Sequence, residues 1–234
     1  DDADDVLARG REDALALLRS GAPILGASTV LPPDTLSIRR LTDLNHQERC
    51  ESGAQGVHWH PNGRIARGGG SDRSARLFRT DGTSNPKLQA IHLPRVPIEG
   101  AAFSHDGAPA FLAGRNKQWA VFDLHRGALQ MVPGLAGRAD KGYTHVLPSP
   151  AGGVLAIVGK SGAVVLVSSI TKQLLATLAT GGSGSAKHGT QAACFSADGA
   201  YLHVSAEGQG VRVWDVRRRR CVHTWQERGG LHCT

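Results

Sequence analysis

The chain has 234 residues, and its 27 lysines and arginines exceed its 20 acidic residues, which gives a formal net charge of +7 at pH 7. This length suffices for one domain, and no second core is apparent. The longest apolar stretch, residues 154–167, is interrupted by Gly159, Lys160 and Gly162, so it is not a transmembrane helix, and we expect no contact with a membrane.

Residues 1–55 form a leader that differs in charge from the rest of the chain. They carry ten acidic and six basic residues, a net charge of −4, which leaves +11 for the remaining 179 residues. Acidic residues near its start, and a glycine and a proline after its end, predict a short helix over 4–19. Residues 35–40 are a candidate strand, and the polar stretch 42–55 is predicted to be a linker.

Four copies of one pattern fill residues 56–234. In each copy a turn glycine is followed fifteen positions later by a large apolar residue, and successive glycines are 44, 45 and 47 residues apart. The four pairs are Gly63 and Phe78, Gly107 and Phe122, Gly152 and Val167, and Gly199 and Trp214. A fixed period of this length indicates one supersecondary unit copied in series, in which each copy is buried by its neighbours.

Each copy is predicted to contain four short antiparallel strands. Runs rich in β-branched and apolar residues alternate with glycine-bearing turns, and four such strands make one blade of a β-propeller. The predicted blades span about 56–98, 99–142, 143–187 and 188–228. An irregular β-sandwich is the alternative, but it does not predict the same register four times. The fold class is therefore all-β.

Two of these copies resemble WD40 β-propeller repeats. Residues 195–199 (Phe-Ser-Ala-Asp-Gly) resemble the start of such a repeat, and Trp214-Asp215 is the dipeptide that gives the family its name. A looser copy begins at residues 103–107. The family's aspartate six positions before the tryptophan position is present only as Asp72. The resemblance therefore implies a WD40-type propeller whose buried hydrogen-bond networks are incomplete.

A narrower resemblance is found in residues 81–91 (Asp-Gly-Thr-Ser-Asn-Pro-Lys-Leu-Gln-Ala-Ile). This segment is similar to one in the U3 small nucleolar RNA-associated protein 18 family, as are parts of the leader between residues 13 and 39. Generic WD40 repeats do not need the segment, so it is the most specific part of the match. The residues that carry it are Asp81, Gly82, Asn85, Pro86, Lys87 and Gln89.

The family resemblance implies a function as well as a fold. Its members are non-catalytic scaffold subunits of the UTP-B subcomplex of the small-subunit processome, in the nucleolus. They act in 18S pre-rRNA processing beside other WD40 subunits, U3 snoRNA and the pre-rRNA, and need no cofactor. The resemblance also implies a seven-blade ring, of which these residues supply about four blades. We therefore expect that they do not form a stable closed monomer on their own. The alternative is a generic WD40 adaptor, such as a ubiquitin-ligase substrate receptor or a signalling scaffold.

The densest cationic segment is the arginine cluster, Arg217, Arg218, Arg219 and Arg220. It follows Trp214-Asp215 and is predicted to lie in the loop between the last two strands of its blade. A solvated turn is one interpretation, and contact with RNA phosphates or an acidic protein is the other. No aromatic stripe accompanies the cluster, so any RNA contact is predicted to be made through the backbone.

Residue patterns for catalysis or metal binding are few. His58 and His60 share one strand face, a spacing that can hold a metal, but no cysteine or carboxylate is placed to complete the set. We therefore interpret both histidines as structural. The four cysteines lack metal or redox spacing, and Cys194 is predicted to be a small core residue. No catalytic residue, cofactor, metal or small-molecule substrate is predicted.

Overall fold

The computed structural model describes residues 38–49, 54–70, 72–94, 96–135, 140–178, 190–206 and 210–226. These residues form sixteen strands in four antiparallel sheets and include no helix. No element in these ranges is therefore a helix suited to crossing a membrane. The helix predicted over 4–19 lies outside the described residues, and residues 38–40, at the end of the candidate strand, are not in a strand.

Every sheet is a four-stranded meander whose strand order follows the sequence. Blade 1 contains β1 (Ala54–Trp59), β2 (Ile65–Gly70), β3 (Ser74–Arg79) and β4 (Lys87–His92). Blade 2 contains β5 (Ile98–Phe103), β6 (Pro109–Gly114), β7 (Trp119–Asp123) and β8 (Ala128–Val132). Blade 3 contains β9 (Tyr143–Pro148), β10 (Val154–Gly159), β11 (Val164–Ser168) and β12 (Leu174–Leu178). Blade 4 contains β13 (Thr190–Phe195), β14 (Tyr201–Ala206), β15 (Gly210–Asp215) and β16 (Arg220–Trp225). The predicted all-β fold of repeated WD40-like blades is confirmed.

The repeated turn glycines join the first two strands of each blade. Gly63, Gly107, Gly152 and Gly199 have φ values of 68°, 77°, 75° and 71°, a left-handed conformation that glycine adopts without strain. At Gly107, Gly152 and Gly199 the absence of a side chain also lets successive blades approach closely. A Cβ at Gly107 would lie 2.1 Å from Nε2 of His60 in blade 1, and one at Gly199 would lie 2.6 Å from Oγ of Ser149 in blade 3. The period in the sequence thus reflects a contact between neighbouring blades.

The apolar residue fifteen positions after each glycine is buried in the third strand of its blade. Phe78, Phe122, Val167 and Trp214 are 1%, 3%, 0% and 7% exposed. The first of three clusters of buried side chains joins blades 1 and 2, the second joins blades 2 and 3, and the third joins blades 3 and 4. Blade 3 is covered on both faces, which explains the nearly continuous apolar sequences of β10 and β11.

The two faces of blade 4 differ in their environment. Leu202 and Val204 belong to the core shared with blade 3. Cys194 on β13 is paired with His203 on β14. His203 stands between Leu202 and Val204, so this pair lies on the opposite face of the sheet from that core, and Cys194 is exposed. The prediction that Cys194 is a core residue is therefore wrong. Its side chain is on the face of blade 4 that no described blade covers.

Candidate nucleic-acid interface

One end of every blade displays two loops that are hydrogen-bonded to each other. The loop between the third and fourth strands, here called the outer hairpin loop, spans 80–86, 124–127, 169–173 and 216–219 in the four blades. In each blade a backbone N–H at the start of this loop donates to a carbonyl in the turn between the first two strands, at 2.9–3.0 Å. We call this side of the molecule the hairpin face.

The arginine cluster occupies the outer hairpin loop of blade 4 and the first residue of β16. Asp215 shapes this hairpin, because its carboxylate accepts the backbone N–H of Arg218 at 2.7 Å and its carbonyl accepts that of Arg219 at 2.7 Å. The aspartate of the Trp-Asp dipeptide thus has a local structural role. All four arginine side chains are exposed on the hairpin face, as the second interpretation of the cluster requires.

The four arginines differ in their partners. The Arg218 guanidinium lies 3.8 Å from the Asp215 carboxylate, and Arg219 donates from Nη1 to the Leu175 carbonyl of blade 3 at 2.9 Å. Within the described ranges, Arg217 and Arg220 have no ion pair. The fold therefore holds two guanidinium groups in place, but only that of Arg218 is paired with a carboxylate. Among the described residues the charges of the other three arginines are uncompensated.

A cleft of about 330 Å³ lies between blades 3 and 4 beside this cluster. Apolar side chains of both blades form its floor, and Arg217 and Arg219 line it. The apolar residues in the lining are Val154, Leu166, Leu175, Ala200 and Val216. The arrangement combines a small apolar recess with two guanidinium groups, and none of the described residues that line it carries a carboxylate.

The outer hairpin loops of blades 2, 3 and 4 share a left-handed residue that was missed in the sequence, and in blades 3 and 4 its side chain contacts the preceding blade. It stands twenty positions after the turn glycine and is Gly127 in blade 2, Lys172 in blade 3 and Arg219 in blade 4. Their φ values are 62°, 63° and 58°. The Lys172 ammonium lies 5.4 Å from the centroid of the Phe111 ring in blade 2, and burial lowers the pKa of Lys172. Like Arg219, Lys172 contacts the preceding blade. The fixed spacing of twenty residues after the turn glycine is the sequence feature that could have revealed this position.

The family-like segment folds into the outer hairpin loop of blade 1. The Asp81 carboxylate accepts the backbone N–H groups of Thr83, Ser84 and Asn85, each at 2.9 Å. These bonds, with that from the Ser84 hydroxyl, hold the pKa of Asp81 well below its usual range. Asn85 is buried, has φ +42°, and accepts the N–H groups of Asp81 and Gly82 through Oδ1. The hydrogen bonds of Asp81 and Asn85 therefore determine the conformation of this loop.

The same loop and the strand after it contact the leader. Leu41 lies against Gly82, and the Asn85 side-chain amide donates to the Thr42 carbonyl at 2.9 Å. The backbone N–H of Lys87 donates to Oε1 of Gln47 at 3.2 Å. Whereas the sequence suggested a linker over 42–55, residues 41–48 contact blade 1. We call residues 41–48 the docked leader.

The other two family-like residues have backbone roles. The Pro86 carbonyl accepts the Arg79 N–H at 2.9 Å, which continues the ladder between β3 and β4 into the loop. Gln89 lies opposite Leu77 in that ladder. The family-like segment is therefore an outer hairpin with one surface against the leader.

His58 and His60 lie between blades 1 and 2. Nε2 of His60 is 3.1 Å from the Gly107 carbonyl oxygen, and the ring packs edge-on against Phe103. Burial lowers the pKa of both histidines. Among the described residues, no three metal-ligating side chains are grouped. These contacts agree with a structural role for the two residues.

Arg67 is a buried cation that the sequence did not single out. It lies on β2, is 2% exposed, and donates from Nη2 to the Ala101 carbonyl of blade 2 at 2.8 Å. Its Nε and Nη1 atoms have no hydrogen-bond partner among the described residues. Burial lowers the pKa of Arg67 to about 10, so the side chain stays charged at neutral pH. A single arginine between apolar residues and three glycines was the available signal.

Comparison with known proteins gives the family. No protein-family model matches the chain. The U3 small nucleolar RNA-associated protein 18 homolog of Arabidopsis thaliana is 33% identical over 227 residues, which are 97% of this chain and 39% of that protein. The Homo sapiens homolog is 30% identical over 217 residues, 92% of this chain and 38% of that protein. The chain belongs to this family. The probable member from Schizosaccharomyces pombe is 29% identical over 210 residues.

The membership confirms the family predicted from residues 81–91 and the leader. The chain spans about two fifths of the length of these U3 small nucleolar RNA-associated protein 18 relatives. At least part of both the blade 1 hairpin and the blade 4 hairpin lies within the matched region, since the match to the Arabidopsis relative takes in 97% of the chain.

Proposed function

We propose that this chain is part of the WD40 propeller of a non-catalytic scaffold subunit of the small-subunit processome, which acts in small-subunit ribosome biogenesis. It acts in 18S pre-rRNA processing by binding other WD40 subunits of UTP-B, the U3 snoRNP and the pre-rRNA in the nucleolus. The names of the relatives, which describe them as U3 small nucleolar RNA-associated proteins, support this proposal.

The observation that carries the RNA contact is the open arginine cluster on the hairpin face. Four guanidinium groups stand against one carboxylate, that of Asp215, so this hairpin has a net charge of about +3. Guanidinium groups match phosphate oxygens in shape and charge, and each neutralised phosphate releases counterions from the RNA. The loop residues 216–219 are a valine and three arginines, so base stacking has no aromatic platform there. The contact is therefore to the RNA backbone.

The second candidate function is that of a generic WD40 adaptor. The apolar floor of the cleft between blades 3 and 4 is the observation that favours it, since a peptide side chain fits such a recess. In that case the arginines around the cleft bind acidic residues of a protein partner. The two candidates differ in whether RNA is recovered with the chain.

The test is affinity purification of the tagged chain from cells, followed by RNA sequencing and mass spectrometry. We expect recovery of pre-rRNA, U3 snoRNA and other UTP-B propellers. A variant with serine at all four positions of the arginine cluster, the four-serine variant, retains the proteins and recovers less RNA. Arg115→Ser is the matched control, because Arg115 is an exposed cation in the β6–β7 loop, away from the hairpin face. Recovery of ubiquitin-ligase adaptors without RNA would contradict the proposal.

A further inference from the structure

Every hydrogen bond between the docked leader and blade 1 that involves a family-like residue runs in one direction. Blade 1 provides the donors: the side-chain amide of Asn85 and both the backbone N–H and the ammonium of Lys87. The leader provides the acceptors, which are the Thr42 carbonyl and the side-chain oxygens of Gln47 and Glu48. A surface made of donors and cations is suited to an anionic ligand.

The Glu48 carboxylate is held by two cations at once. Nε of Arg76 donates to Oε1 at 2.8 Å, and the Lys87 ammonium donates to Oε2. These contacts hold the pKa of Glu48 below its usual value, with the Lys87 contact the larger cause. A phosphodiester also presents two terminal oxygens that share one negative charge. Each oxygen of Glu48 therefore stands where a phosphate oxygen would be bound.

The charge of the site depends on the leader. Arg76 also pairs through Nη1 with Asp72 at 2.6 Å, so Arg76, Lys87, Asp72 and Glu48 together are neutral. Without Glu48 the same site has one uncompensated positive charge. The Arg76 and Lys87 side chains are 14% and 36% exposed with the leader in place. Removal of the leader thus creates both the charge and the access that an anion needs.

We infer that Arg76 and Lys87 form a binding site for an RNA backbone phosphate, which Glu48 of the docked leader occupies in the structure. The leader acts as an intramolecular competitor, because its tether keeps the carboxylate at a high effective concentration near the site. Docking closes the site and undocking opens it. This inference rests on the proposed RNA-binding function, and it adds a second phosphate contact at the opposite end of the row of blades.

The test measures binding of a short fluorescein-labelled oligouridine by anisotropy at low salt. Glu48→Ala removes the competitor, and the affinity is expected to rise about fivefold, the equivalent of one partly exposed ion pair. Adding Lys87→Ala to that variant cancels the gain. Asp43→Ala is the matched control, because Asp43 is a leader carboxylate paired only with Arg40, at 3.6 Å, among the described ion pairs.

The four-serine background separates this inference from the proposed function. A gain from Glu48→Ala that persists in that background supports the phosphate site, whether or not the arginine cluster itself binds RNA. An equal gain from Asp43→Ala shows a general charge effect and overturns the inference. A gain that survives Lys87→Ala also overturns it. Glu48→Gln keeps the shape of the side chain and is measured alongside, so that a folding defect of Glu48→Ala does not decide the outcome.

Discussion

The outer hairpins of blades 1 and 4 occupy the same place in the repeat and differ in what covers their cations. In blade 1, Arg76 and Lys87 are paired with the leader carboxylate of Glu48. In blade 4, Arg217 and Arg220 have no ion pair with any described residue and face solvent. One scaffold therefore presents a closed and an open cationic surface, and the difference depends on loop sequence and on an added segment.

The length of the loop contributes to this difference, together with its sequence and the added leader. The outer hairpin loop has seven residues in blade 1 (80–86) and four in blade 4 (216–219). The longer loop has room for the Asp81–Asn85 turn, which presents the Asn85 amide to the leader. The shorter loop is a tight turn capped by Asp215, from which the arginines extend. The repeated residues form the packed blades, and the residues that differ between the repeats form the two cationic surfaces.

The largest expected effect on stability is at Asn85, whose hydrogen bonds shape the outer hairpin loop of blade 1 and hold the docked leader. Asn85→Ala loses two acceptor bonds and one donor bond in a buried, left-handed position, so we expect a loss of about 2–4 kcal/mol in the free energy of unfolding. Asn85→Gly loses the same bonds but adopts the conformation without strain, and its loss is smaller by about 1 kcal/mol. Urea denaturation measures both, and all unfolding measurements use the full-length protein, because these residues are not expected to form a stable closed monomer on their own. A loss below about 0.5 kcal/mol for alanine would contradict the role of Asn85.

The next effect is at Arg67, a cation that lacks the carboxylate partner found in the blade 1 hairpin. Replacement of an unpaired buried charge by an apolar side chain of similar size is stabilising, so Arg67→Met is expected to raise the free energy of unfolding by about 1–3 kcal/mol. Arg67→Lys retains the charge and is expected to destabilise. Thermal and urea unfolding compare the three proteins. Destabilisation by methionine would mean that the guanidinium has a compensating partner.

A smaller effect distinguishes the arginines within blade 4. Arg219 donates to the Leu175 carbonyl, so Arg219→Ala is expected to lower the free energy of unfolding by about 1 kcal/mol. Arg220→Ala removes no described ion pair and is expected to change it by less than about 0.5 kcal/mol. Equal effects in urea denaturation would contradict the division of the cluster into structural and free arginines.

The smallest expected effect is a change with pH in the stability of the contact between the docked leader and blade 1. The folded-state pKa of Glu48 lies below its usual value of 4.5. The ionised carboxylate therefore stabilises the contact between the leader and blade 1 above pH 4.5, and this stabilisation is lost as the pH falls through the folded pKa. Hydrogen exchange at the Lys87 amide, corrected for the intrinsic rate, is expected to increase in that window. Glu48→Gln serves as the control, and its profile should be flatter. Identical profiles would show that the carboxylate does not hold the leader.

Much of the fold could be predicted from the sequence because repeated residues make the same contacts between neighbouring blades. Gly107 must be small since it lies on His60, and the same contact recurs at Gly152 and Gly199. The leader contact could not be predicted in this way. Glu48 and Arg76 are 28 residues apart, and no periodicity marks their pairing. Likewise, a strand register alone does not tell which face of blade 4 is covered, so Cys194 was misplaced.

The most direct test of the account is the salt dependence of RNA binding by the wild-type chain and the four-serine variant. Since Asp215 pairs one arginine, the open cluster neutralises about three phosphates, and its loss should make the slope of log K against log salt shallower by about 2–3. Arg115→Ser, the control, should change the slope by no more than about one. An unchanged slope in the four-serine variant would contradict the assignment of the open hairpin of blade 4 as the RNA contact.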